Sequence, residues 1–110
     1  MSDEKILIHV TDETFEDEII KSEIPAIVDF WANWCGPCRA LGPILEEVAD
    51  FYRNRVKVSK INIDDNPNVT ARYGVMSIPT MILFRDGKPI ERLVGLVAKE
   101  RLEEFVKKAL

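Results

Sequence analysis

From Ala26 to Trp31 the chain is almost continuously apolar, interrupted only by Asp29. A strand of that composition offers no face to water, so it belongs in the middle of a sheet with layers packed on both sides. The run leads straight into Cys35. From Cys38 to Tyr52, Leu41, Ile44, Leu45, Val48 and Tyr52 then keep helical spacing, with Glu46, Glu47 and Asp50 left for water. A buried strand feeding a long amphipathic helix is the opening of a β-α-β unit, and the rest of the chain is compatible with little else. Ile6 to Val10 reads as a first strand. Thr11 or Asp12 offers a cap for a helix that buries Phe15, Ile19 and Ile20. Val56 to Ile63 alternates and is rich in β-branched residues, and Asn66 and Pro67 form an N-cap and first-turn pair for a short helix ending at Gly74. Thr80 to Phe84 and Ile90 to Val94 flank Arg85-Asp86-Gly87-Lys88, a tight-hairpin signal that makes the last two strands antiparallel. Leu102, Phe105, Val106 and Ala109 close the chain on one face of a helix starting near Ala98. The predicted order is β-α-β-α-β-α-β-β-α, an α/β fold with a mixed central sheet and helices on both faces.

With 110 residues, 46% of them hydrophobic, the chain is one domain, 1–110, with a single core. The formal charge of −4 carries no basic cluster beyond Lys107 and Lys108, which argues against nucleic acid as a partner. No stretch is long enough to span a bilayer. Asp3 and Glu4 in Met1 to Lys5 give the wrong charge pattern for a secretory or transit peptide, so a cytoplasmic location is expected. In that reducing compartment a close cysteine pair points to metal binding or redox catalysis before a structural staple.

Cys35-Gly36-Pro37-Cys38 stands where the buried strand gives way to the long helix. There Cys35 meets unpaired backbone N–H groups and the positive end of the helix dipole, and both favour a thiolate. Spacing at i and i+3 puts the sulfurs on one face of the first turn, where a small disulfide ring can open and close with little backbone motion. Cys35, at the tip, is expected to be exposed and nucleophilic, and Cys38, a turn inside, to be the buried resolving thiol. Gly36 and Pro37 bring no charge or side-chain donor to the thiolate, which favours a reductant over an oxidant. The competing readings are a zinc half-site and two inert core thiols. Zinc needs about four ligands, and His9, at the far end of a strand, is the one further candidate, so no metal is expected.

Trp34-Cys35-Gly36-Pro37-Cys38, preceded by Val28-Asp29-Phe30-Trp31-Ala32 and followed by Pro43, closely resembles the signature of the thioredoxin family. The likeness continues through Val58 to Asp64, Tyr73-Gly74-Val75, Ile78-Pro79-Thr80 and Val94-Gly95, in order over essentially the whole chain. It implies a thioredoxin fold, with a five-stranded mixed sheet flanked by four helices. It also implies re-reduction by an NADPH-dependent flavoprotein thioredoxin reductase and the reduction of disulfides in cytosolic proteins; no cofactor is expected, and nothing in the sequence demands more than a monomer. The chain departs from the commonest family pattern at Asn33, at Ala40-Leu41-Gly42 and at Met76-Ser77, positions that bear on partner preference.

Asp29 is a carboxylate inside an apolar run, so burial should raise its pKa. It is either a base for Cys38, the role the resemblance assigns, or a structural buried acid. Lys60 shares strand parity with Val56 and Val58, which points it inward towards Asp29, although a lysine snorkelling to the surface is the alternative. The resemblance places a cis-proline at Pro79 beside the cysteines, where the backbone of Ile78 would pair with an extended substrate segment. Trp34 is assigned to a docking surface and Trp31 to the core. Val94, Gly95, Gly36 and Pro37 join Ile78 and Pro79 in an apolar patch around Cys35 by the same resemblance. Pro43, inside the long helix, is read as a structural bend, His9 as a strand residue and Met76 as a packing or rim residue. The leading function is thiol-disulfide exchange that reduces protein disulfides. The alternatives are a disulfide isomerase or oxidase, and a redox-silent binding subunit that uses the patch around Cys35.

Overall fold

A computed structural model describes residues 6–110; the reading of Met1 to Lys5 falls outside them. In order come β1 (Ile8–His9), a π-helical segment (Glu16–Ile20), β2 (Ala26–Trp31), α1 (Gly36–Phe51), β3 (Lys57–Asn62), α2 (Pro67–Arg72), β4 (Thr80–Arg85), β5 (Lys88–Val94) and α3 (Lys99–Lys107). The strands form one sheet in the order β1-β3-β2-β4-β5. β1 and β2 run parallel to β3, while β4 is antiparallel to both β2 and β5. The apolar run of β2 thus occupies the centre, as its composition requires.

Strand alternation sorts the core into two layers. Ile27, Val58, Met81 and Leu83 pack against Leu41, Leu45 and Val48 of α1 and Leu102, Phe105 and Val106 of α3. On the other face Val28, Phe30, Ile61, Ile82 and Phe84 meet Phe15 and Ile19 from the π-helical segment and Val69 from α2. The hairpin turn has Asp86 at φ +54° and Gly87 at φ +79°, the paired positive values of the tight turn that Asp-Gly predicts. A Cβ on Gly87 would also lie 2.9 Å from the Ile20 carbonyl oxygen, so both the backbone conformation and the close approach demand glycine.

Two local expectations are corrected, and a third, the cap offered by Thr11 or Asp12, is resolved in favour of Thr11. The first strand is shorter than Ile6 to Val10: only Ile8 and His9 pair regularly with β3, although the Val10 N–H continues the ladder to the Lys60 carbonyl at 2.9 Å. The first helix is wound in π fashion, closed by the Lys21 N–H on the Glu16 carbonyl at 3.0 Å. Asp12 does not cap that helix. Thr11 does the local work, accepting the Thr14 N–H on its hydroxyl at 3.2 Å, while Asp12 reaches across the chain to α2. Its Oδ2 and Oδ1 accept the N–H groups of Asn68 and Val69 at 3.1 and 2.9 Å. Asn66 in turn leaves its capping role to lock the junction, accepting the Asp12 N–H at 2.8 Å and donating to the Asn62 carbonyl at 2.9 Å.

Candidate active site

Cys35 is the N-cap of α1, in extended conformation, and Pro37 lies in the first turn, where no backbone donor is needed. The Cys38 N–H donates to Cys35 Sγ at 3.1 Å, so the helix terminus does present a donor to the first sulfur. The two cysteines are joined in a disulfide, with their Cα atoms 5.3 Å apart, within the range such bonds require. One expectation fails here: Cys35 is not exposed. Only 4% of it is accessible, against 1% for Cys38. Its sulfur is covered on one side by Cys38, and the Ile78 carbonyl oxygen stands 3.9 Å away on another. The order of accessibility is as expected, but the opening onto the sulfur is narrow.

The Ile78-Pro79 bond is cis and Pro79 is buried. This loop is tied to the end of β5 by the Gly95 N–H on the Pro79 carbonyl at 2.8 Å, and Thr80 pairs in register with Val94. The structure therefore brings Ile78, Pro79, Val94 and Gly95 into one rim, with Ile78 beside Cys35. Gly36 and Pro37 are exposed at the tip of α1, Val94 is exposed and Ile78 is half-buried. Trp34 is 67% exposed, and its indole N–H donates to Asp64 Oδ2 at 3.0 Å. Met76 is 94% exposed, so it does not pack into the core. Leu96, which follows Gly95 in the chain, is also exposed and has no counterpart among the sequence expectations; neither has Asp64. Thirty positions separate Trp34 from Asp64, and no local pattern marks that pair.

Beneath the disulfide, Cys38, Leu41, Leu45 and Val48 form the buried stripe of α1. That stripe packs on the sheet face carrying Ile27 and Met81. Asp29 lies on the same face, between Lys60 on β3 and Met81 on β4 in register, and is fully buried. Neither of its carboxylate oxygens has a hydrogen-bond partner among the described residues. Burial pushes its pKa up from 3.8 to about 7, opposed by the positive charge of Lys60. The Lys60 ammonium lies over the Trp31 ring, 4.3 Å from its centroid. Trp31 itself is half-buried and holds an indole N–H with no partner among the described residues, so it is less fully core than expected.

The thioredoxin family model matches residues 6–108. Thioredoxin 1 of Synechococcus elongatus is 48% identical over 101 residues, covering 92% of this chain and 94% of that protein. Thioredoxin of Allochromatium vinosum is 49% identical over 100 residues, covering 91% and 94%, and that of Rickettsia bellii 49% over 98 residues, covering 89% and 93%. With a Cys-Gly-Pro-Cys disulfide at the head of α1 and a match running nearly end to end, this chain belongs to the thioredoxin family, a thiol-disulfide oxidoreductase that reduces disulfides by exchange with its own dithiol.

Proposed function

We propose that Cys35 is the nucleophile and Cys38 the resolving thiol. The observation that carries the assignment is the Cys38 N–H on Cys35 Sγ: the helix terminus presents a donor to the first sulfur, which favours negative charge there. The Cys35 thiolate attacks one sulfur of a substrate disulfide, forming a mixed disulfide and expelling the other substrate sulfur as thiolate. Cys38 then gives its proton to the Asp29 carboxylate and attacks Cys35 Sγ. The second substrate sulfur leaves as thiolate, and the Cys35–Cys38 disulfide is left behind. Substrate gains the two electrons that the dithiol loses. A neutral-range pKa suits Asp29 to accept that proton, and Lys60 assists by favouring the carboxylate form.

Trp34, Gly36, Pro37, Ile78, Pro79, Val94 and Gly95 form the docking surface for an extended substrate segment. The family, the rim geometry and the exposed apolar side chains support this reading. The chain acts as one unit over 1–110, as a monomer in the cytoplasm, and an NADPH-dependent flavoprotein thioredoxin reductase restores the dithiol in the electron-transport step. It needs no metal or cofactor of its own. A dithiol that must be returned to the reduced state belongs where such a reductase works.

Reduction of insulin disulfides, driven by dithiothreitol or by a reductase, tests the assignment. Wild type should turn over, Cys35→Ser should not, and Cys38→Ser should accumulate the mixed disulfide. Turnover persisting in Cys35→Ser would overturn it.

A further inference from the structure

The Trp31 ring lies against the Lys60 ammonium, the charge whose influence on Asp29 is resolved among the described residues. Asp29 and Lys60 are directly opposed in the parallel ladder, and Trp31 is opposed to Asn62, so Lys60 and Trp31 are diagonal neighbours on one face. A lysine in that place has two obvious destinations: the carboxylate opposite, or water at the sheet's end, where its flexible stem lets it snorkel. It takes neither. Its ammonium lies over the Trp31 ring at 4.3 Å, within the range of about 6 Å in which an aromatic face attracts a cation. Both Asp29 oxygens stay without a hydrogen bond among the described residues.

We propose that Trp31 is a positioning residue, whose ring holds the Lys60 ammonium near the Asp29 carboxylate yet off its oxygens. The consequence is a charge that works through space without a bond. An ion pair with hydrogen bonds would trap Asp29 as a weakly basic anion. A lysine released to water would leave burial unopposed. The other neighbours of the face are these: β4 places Met81 across from Asp29, α1 and α3 contribute Leu41, Leu45, Leu102 and Phe105 to that layer, and β1 sets His9 beside Lys60 in register, one strand further from Asp29. Lys60 is the charged group whose influence on Asp29 is resolved among the described residues, and it works against the upward push of burial.

The bearing of this arrangement on catalysis rests on the reading of Asp29 as proton acceptor, but its bearing on Asp29 does not. The test is therefore direct titration of the Asp29 carboxyl, by NMR of isotope-labelled aspartate in the oxidised full chain. Lys60→Met should move the titration upward. Trp31→Leu, which removes the aromatic face and frees Lys60, should move it upward too, and Trp31→Phe should move it less. Adding Lys60→Met to Trp31→Leu should shift it little further, because both changes remove the same charge effect. An unchanged titration in folded Trp31→Leu would overturn the proposal, as would a full additional shift in the double variant. Should Trp31→Leu fail to fold, Trp31→Met, which also removes the aromatic face, decides: no shift, with Lys60→Met shifting strongly, counts against it. The acid limb of insulin-disulfide reduction, measured on the same variants, separates the two readings. A limb that ignores a moved Asp29 titration removes Asp29 from the exchange step and leaves the Trp31–Lys60 arrangement standing.

Discussion

At Asp29 the chain gives up stability for a group that can change its charge near neutral pH. The carboxyl is fully buried, without hydrogen bonds among the described residues, and is pushed up to about 7. Between the ordinary carboxylate range and neutrality the folded chain keeps this proton while the unfolded chain has lost it. Stability contributed by the group therefore falls as pH rises through that window and levels off above it. A shift of about 3 units corresponds to at most about 4 kcal/mol. Asp29→Asn, neutral at every pH, should be more stable than wild type by a margin that widens from pH 4 to pH 7 and then holds constant. Urea unfolding of the oxidised proteins at several pH values would show it, and a margin independent of pH would contradict a raised pKa. On the proposal that Asp29 accepts the Cys38 proton, the same variant should also slow disulfide reduction. The raised pKa was legible from a carboxylate set in an apolar run. The ring that holds Lys60 was not, because strand register decides which side chains become diagonal neighbours.

Among the elements, α2 shows best what a linear reading can and cannot reach. Pro67 and Gly74 bracket it as residue preferences require, and Gly74 has φ +63°. Its first-turn N–H groups, however, are satisfied by Asp12, more than fifty positions away. A cap of this kind looks in the sequence like a cap for the nearest helix. The long elements were legible because their periodicity is strong: β2 and α1 lie where the apolar pattern puts them, and the hairpin turns at Asp86-Gly87. The short first strand and the π winding of Glu16–Ile20 were not, since each is decided by packing rather than by local preference. Removing the distant cap should be costly. Asp12→Ala deletes two charge-assisted bonds to the helix start, and a loss of roughly 1–2 kcal/mol follows from the usual cost of such caps. The urea midpoint should fall with an unchanged slope, and Asp12→Asn should recover part of the loss. A midpoint equal to wild type would mean that water replaces both bonds without penalty.

Taken as a whole, the molecule buries two apolar layers against the sheet and leaves Trp34, Phe51, Met76, Ile90, Val94, Leu96 and Leu110 exposed, with Val94 on the rim beside the disulfide. If that rim is the docking surface proposed above, the narrow opening onto Cys35 gives it a role in selection. A small disulfide needs only to reach the sulfur, whereas a protein disulfide must also lay a stretch of chain across Ile78 and the end of β5. Val94 is suited to separate these demands, because its side chain is exposed and its backbone is already paired to Thr80. Val94→Asp should leave the fold intact and leave reduction of a small aromatic disulfide nearly unchanged. It should raise KM for insulin, with kcat nearly constant, because desolvating a carboxylate against an apolar partner weakens binding without touching the sulfur chemistry. Equal losses on the two substrates would place the damage at the cysteines instead. No loss on either would remove Val94 from the docking surface, leaving contact with protein substrates to Trp34 and the Ile78-Pro79 loop.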